Sequence, residues 1–378
     1  MHARTRFTTA ALGLALTLSA CGAAPGGPAA SQSAPADAAV QSATAWIPST
    51  FSSAGSWTTR VDENSPVAAG AAGVAALTGR AITVHDSTTG ATLWSSAPVT
   101  GTPELSFATD GGKEYLLATY GNGTAEARID AYLTTRIGDG LAPSSSTRFT
   151  AAKKQNVTIT RSSHGALVAN GDARQVYRPA AAQAVDVPDN AVAMINDATI
   201  TTDGSTFELK AISGASVWTS AKLKPAGAAA GSQGSYLGVS NGLIAAKWAG
   251  ADGKDIIAII RAVNGSVAAV VPSAPGAAGT TLLASADGRW AVYGQKVINA
   301  ATGASYDLPA DVHPVLVDRA VVYSGGEHGN AFDAISQKAI TSPKGAPKVV
   351  TPLGQGVFFS GTDLTVAQAN TLGGKLSR

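Results

Sequence analysis

From about residue 55 to residue 369, apolar and polar positions alternate in short runs. AITVHD (81–86), FELKAI (207–212), DIIAIIRAV (255–263) and KVINA (296–300) are four of them. A two-residue period places alternate side chains on opposite faces of a strand. Between the runs stand Asn122-Gly123, Asn170-Gly171, Asp203-Gly204, Asn241-Gly242, Asp252-Gly253 and Asp287-Gly288. These pairs suit the positive-φ positions of tight hairpins. No amphipathic pattern long enough for a helix of ten residues interrupts the series. The pattern predicts an antiparallel β meander.

The meander repeats. TTGATLWSSAPV (88–99), ISGASVWTSAKL (212–223), VNGSVAAVVPSA (263–274) and ATGASYDLPADV (301–312) each set a glycine before a strand. Trp94 and Trp218 stand four residues after Gly90 and Gly214. Four-strand units are predicted over 67–99, 103–150, 155–187, 190–224, 234–274, 279–310 and 312–345. The segment 348–369 holds three further strands. GSWTTRVD (55–62) resembles the outer strands at 92–98 and 216–222, with Trp57 in the place of Trp94 and Trp218. The N-terminal strand would therefore complete the last unit and close a ring, which removes open sheet edges. Units of about 40 residues are blade-sized, so the sequence predicts an all-β, eight-bladed propeller. Seven blades is the alternative, because 103–150 and 155–187 match the repeat poorly.

The form strand, then (S/T/N)G-x-x-x-W, resembles the pyrroloquinoline-quinone-like β-propeller repeat, sharply at 81–95 and 207–219. That family includes quinoprotein dehydrogenases and the outer-membrane β-barrel assembly lipoprotein. The resemblance implies a propeller fold and a blade-packing role for Trp57, Trp94, Trp218, Gly90 and Gly214. Quinoproteins of this type use a vicinal cysteine pair. This chain has one cysteine, so no quinone or other cofactor is expected.

That cysteine ends a different pattern. Arg4 and Arg6 precede an apolar run of about nine residues, AALGLALTL (10–18), too short for the roughly 20 residues of a membrane span. Leu18-Ser19-Ala20-Cys21 follows. It resembles the lipobox of bacterial lipoproteins. The resemblance implies a signal peptide over 1–20, lipidation of Cys21 as the mature N-terminus, and a protein held on the outer side of the cell membrane. Each buried methylene contributes about 0.8 kcal/mol, and two or more acyl chains hold stably. Residues 21–44, rich in Ala, Gly, Pro and Ser without hydrophobic period, read as a flexible linker to a propeller domain over 45–378.

Charge narrows the partners. The chain has 27 Lys+Arg and 25 Asp+Glu; without the signal's two arginines the balance is zero. No basic stripe suggests nucleic acid. His85, His164, His313 and His328 have no metal-ligand spacing, and the single Cys excludes thiolate zinc sites. DGKD (252–255) lacks the acids of a calcium loop, and no nucleophile elbow or phosphate loop occurs. Candidate binding residues come from loops expected at one mouth of the ring: Arg136, Asp139 and Arg148 in 135–149, Asp252 and Lys254, and Glu327 and His328 in 324–330. The long loops 135–149, 224–234 and 272–279 are read as between-blade connections. The function expected is non-catalytic binding of an envelope protein or surface polymer. The alternatives are a metal-dependent hydrolase or lactonase and a small-ligand sensor. Oligomeric state is not legible.

Overall fold

The computed structural model describes residues 50–151, 155–273, 281–325, 331–340, 347–352 and 354–369, and the statements below concern these. They form eight sheets, each built on one four-stranded antiparallel blade, the first with a fifth strand paired in parallel at its edge. Blade 1 comprises Ala68–Ala69, Val74–Thr78, Ala81–His85 and Thr92–Ser96; blade 2 comprises Glu104–Asp110, Lys113–Tyr120, Glu126–Leu133 and Ser145–Thr150. Blade 3 follows with Val157–Ser162, Gly165–Asn170, Ala173–Arg178 and Gln183–Val187, and blade 4 with Ala191–Ile195, Ala198–Thr202, Phe207–Ala211 and Ser216–Thr219. Blade 5 is Ser235–Ser240, Leu243–Ala249, Asp255–Arg261 and Val267–Pro272. Blade 6 is Leu282–Ala284, Trp290–Tyr293, Lys296–Asn299 and Ser305–Asp307; blade 7 is Pro314–Asp318, Val321–Ser324, Ala331–Asp333 and Lys338–Ile340. Blade 8 joins Val349–Val350, Gly356–Ser360 and Asp363–Ala369 to Phe51–Arg60 as its outer strand. The eight-bladed propeller predicted from the repeats, with its N-terminal closing strand, is the fold observed.

Eight apolar clusters hold the ring, and each spans one pair of neighbouring blades. The two-residue period explains how. In Leu243–Ala249, Leu243 and Ala245 enter the cluster shared with blade 6, while Ile244, Ala246 and Trp248 enter the one shared with blade 4. A strand buried on both faces reads as a nearly continuous apolar run, as DIIAII at 255–260 does. Burying one such Ile or Leu side chain contributes about 1.5–3 kcal/mol. Closure uses the same device. Trp57, Val357, Leu364 and Val366 of blade 8 meet Val74 and Ala76 of blade 1. Phe51 and Phe358 meet Tyr323 of blade 7.

First strands of neighbouring blades touch one another, so they form the inner wall. Chain alternation then defines two faces. Turns between second and third strands, and connections between blades, lie on one face, here the upper. Turns between first and second, and between third and fourth strands, lie on the lower face.

Candidate binding surfaces of the ring

The repeated tryptophans build locks between blades. The Trp57 indole N–H donates to the Ser87 carbonyl at 2.9 Å, and a Cβ on Gly90 would come within 2.7 Å of its ring. Trp218 repeats this on blade 5: its N–H donates to Ala262 O at 2.7 Å, and a Cβ on Gly265 would come within 2.9 Å of its ring. Both glycines have left-handed φ, +75° and +71°. They therefore serve the turn and the ring above it at once. Trp57 and Trp218 each pack on a glycine of the following blade, and Trp218 does not pack on Gly214, four residues before it. Nothing lies within 4 Å of a Cβ built on Gly214. Trp94 has no such lock. It stacks on Tyr132, centroids 5.5 Å apart, and its buried indole N–H has no partner.

The blade 2 insertion explains Trp94. Residues 134–144 leave the third strand of blade 2, and Gly138–Leu141 pairs in parallel with the outer strand of blade 1, Trp94 opposite Gly138. The segment 135–149 is thus not a between-blade connection. It belongs to the lower, outer edge of blade 2. There Arg136 donates to Ala142 O at 2.7 Å, Asp139 accepts from Ser95 Oγ at 2.8 Å, and Arg148 is exposed on the outer strand.

Asp252 and Lys254 lie on the upper face. They form the turn after the second strand of blade 5, where the Lys254 backbone N–H donates to Asp252 Oδ1 at 3.0 Å. The between-blade segment 224–234 packs on that turn through an Ala228–Gly250 bridge. The topology therefore divides the expected surface: Asp252 and Lys254 sit on one face, Arg136 and Asp139 at the edge of the other. Glu327, His328, Cys21 with Leu18, Ser19 and Ala20, and most of 272–279 lie outside the described residues.

The inner wall has a feature absent from the sequence reading. A β-bulge interrupts the first strand of blade 4 between Ala191 and Ala193, of blade 5 between Tyr236 and Gly238, and of blade 7 between Pro314 and Leu316. In all three blades the bulge falls three residues before the strand's last paired position. The extra residue in each is apolar and exposed: Val192 at 38%, Leu237 at 37% and Val315 at 49%. A bulge re-aims a side chain that regular pleating would bury. The first strand of blade 3 has no bulge, and its Thr158, Thr160 and Arg161 are exposed. Arg161 there donates to Leu105 O at 3.0 Å and approaches Glu104 at 3.5 Å. The inner wall is thus polar at blades 2 and 3 and apolar at blades 4, 5 and 7.

An upper-face cleft of about 520 Å³ continues the apolar side. Leu283 and Val292 of blade 6 and Pro314 and Val315 of blade 7 line it, with Gln295 and His313. Gln295 Nε2 donates to Val312 O at 3.1 Å, while its buried Oε1 has no partner. The backbone N–H of Gly325 donates to His313 O at 3.0 Å, so the cleft adjoins Gly325.

Two titratable groups elsewhere are perturbed. His85 is buried on blade 1 with Nδ1 3.2 Å from Gly90 O, so that nitrogen carries the proton. Desolvation holds its pKa below the ordinary value. Burial raises the Asp318 carboxyl, against the opposing pull of Arg319 at 2.9 Å. Among the described residues no three His, Cys, Asp or Glu side chains gather closely enough to hold a metal ion.

No protein-family model matches the sequence, and no curated protein matches it. Solved structures are similar in fold. BamB from Moraxella catarrhalis is 12% identical, with a TM-score of 0.45, over 85% of this chain and 100% of its own. Sqt1 from Saccharomyces cerevisiae is 11% identical, with a TM-score of 0.47, over 86% of this chain and 100% of its own. The WD40 domain of Toxoplasma gondii coronin is 8% identical, with a TM-score of 0.38, over 87% of this chain and 90% of its own. The chain is a β-propeller on the evidence of its own eight sheets; likenesses this remote say nothing of function.

Proposed function

We propose that this chain is a lipid-anchored protein of the bacterial cell envelope whose propeller is a non-catalytic scaffold. It binds another envelope protein or a surface polymer at the upper mouth of the ring. The observation that supports this most is the bulge repeated at one register in three blades. Single exposed apolar residues are ordinary. Three extruded at one repeat position, on a wall held rigid by eight clusters, make a preformed contact surface. The cleft beside Val315 enlarges it. Anchoring rests on Leu18-Ser19-Ala20-Cys21. A linker of the composition and length read for 21–44 would span about 25 Å root-mean-square, enough for the ring to meet partners at a distance from the membrane.

Crosslinking in intact cells followed by mass spectrometry tests the reading, comparing wild type, Cys21→Ala and the double variant Leu237→Asp/Val315→Asp. A specific envelope partner captured by wild type should be depleted at least tenfold in both variants. Equal capture by the double variant would remove the upper mouth as the binding surface, and equal capture by Cys21→Ala would remove the anchor from the function.

A further inference from the structure

The junction of blades 6 and 7 carries the lock's framework without the lock. Tyr306 pairs opposite Val297 in the outer strand of blade 6, as Trp218 pairs opposite Leu209 in blade 4. Its hydroxyl donates to Ala334 O at 2.9 Å. Ala334 directly follows the third strand of blade 7, as Ala262 follows that of blade 5. The turn also corresponds. The Gln337 N–H donates to Asp333 O at 2.9 Å, as the Gly265 N–H donates to Arg261 O at 2.9 Å. A smaller ring thus stands where Trp218 would, and Gln337, at φ +56°, where Gly265 would.

The space left is not filled. A cleft of about 510 Å³ opens on the lower face, lined by Arg289, Trp290, Asn299, Tyr306, Ile335 and Gln337. Trp290 packs one part of its ring against the cluster shared by blades 6 and 7 and remains partly exposed. Ile335 is 54% exposed at the rim. Two aromatic rings thus meet two carboxamides and a guanidinium in one recess.

We propose that this cleft binds a neutral carbohydrate chain. The apolar C–H face of a sugar ring suits the indole and phenol faces, which offer broad area at little entropic cost. Its hydroxyls, each donor and acceptor, suit Gln337, Asn299 and Arg289. Asn299 Oδ1 already accepts the backbone N–H groups of Ala301 and Thr302, at 2.9 and 3.1 Å, so Nδ2 is the group of its carboxamide that remains to donate. Charge points to a neutral ligand. Arg289 Nε lies 3.9 Å from Asp287 Oδ2, so a carboxylate stands beside the guanidinium at the rim and opposes a phosphate or carboxylate there. The site lies on the face opposite the upper mouth, and it stands whether or not the scaffold reading holds.

Isothermal titration of the full-length protein in mild detergent with chitotetraose, maltotetraose, cellotetraose and mannotetraose tests it. At least one should bind saturably at millimolar affinity or better. Trp290→Ala should weaken that binding at least tenfold. Tyr306→Trp/Gln337→Gly installs the lock seen at the junctions of blades 8 and 1 and of blades 4 and 5. It should raise the melting temperature and also weaken binding at least tenfold. No saturable binding by any of the four sugars overturns the proposal, as does unchanged affinity in the lock-installing variant. That variant is predicted to fold better, so it remains decisive if Trp290→Ala is unstable.

Discussion

The junction of blades 4 and 5 and that of blades 6 and 7 share a backbone plan and differ in use. At the first, Trp218 closes over Gly265 and satisfies the Ala262 carbonyl. At the second, Tyr306 satisfies the Ala334 carbonyl, but Gln337 replaces the glycine and a cleft remains. The carbonyl is capped in both cases because a buried acceptor without a donor costs about 1–3 kcal/mol. The junction of blades 5 and 6 obeys the same requirement by other means, with Arg261 donating to Ala300 O. Capping of this carbonyl therefore recurs at the junctions of blades 8 and 1, 4 and 5, 5 and 6, and 6 and 7. Filling the space around the cap is optional, and a junction that leaves it open has room for a ligand.

Substitutions can break this comparison. The largest effect is expected at the closed junction: Trp218→Ala should cost about 3 kcal/mol, through lost packing and an orphaned carbonyl. Tyr306→Ala should cost less, because its ring already borders open space. Equal losses in denaturant melts would mean that the junctions do not differ as described. The turn residue should act in opposite directions. Gly265→Ala places a Cβ against Trp218 in the left-handed region and should destabilise by about 2 kcal/mol. Gln337→Gly relieves a left-handed non-glycine residue and should stabilise by about 1 kcal/mol. Destabilisation by both would show that Gln337 has a packing role of its own.

The smallest effect concerns pH. His85 lies beneath Trp57 at the junction of blades 8 and 1, with ring centroids 5.7 Å apart. Its folded pKa is depressed, so the unfolded chain binds the proton more readily. Its neutral form contributes stability above the unfolded value near 6.5, and that contribution is lost as pH falls toward the folded pKa. The melting temperature should therefore fall between pH 7 and 5. His85→Asn, which keeps a donor for Gly90 O, should flatten that slope. A slope unchanged by the substitution would assign the acid sensitivity to other groups.

Much of the fold was legible in the residues because blades are built from local rules. Two-residue alternation marks strands. Asn-Gly and Asp-Gly mark hairpins, and a tryptophan after a glycine turn marks an outer strand. Those signals were enough to place Trp57 in the outer strand of the last blade, far from its partners in sequence. The binding surfaces were less legible. Arg136 and Asp139 were grouped with Asp252 and Lys254 because long loops look alike in sequence. Whether a loop lies inside a blade or between two blades depends on which strand follows it. The bulges at Val192, Leu237 and Val315 have no local signature either. Each is one extra residue between two strands, visible only once the partner strand sets the register.

The sequence alone thus pointed to the all-β class, to eight blades over the alternative of seven, and to the closing strand. These follow from periodicity, turn chemistry and short motifs, which act over a few residues. Only the tertiary structure decided that Trp57 and Trp218 lock onto the next blade's glycine. It alone showed which face a loop occupies, where the inner wall turns apolar and where a junction stays open. These depend on contacts between blades, and the geometry of such a contact is set by two surfaces together.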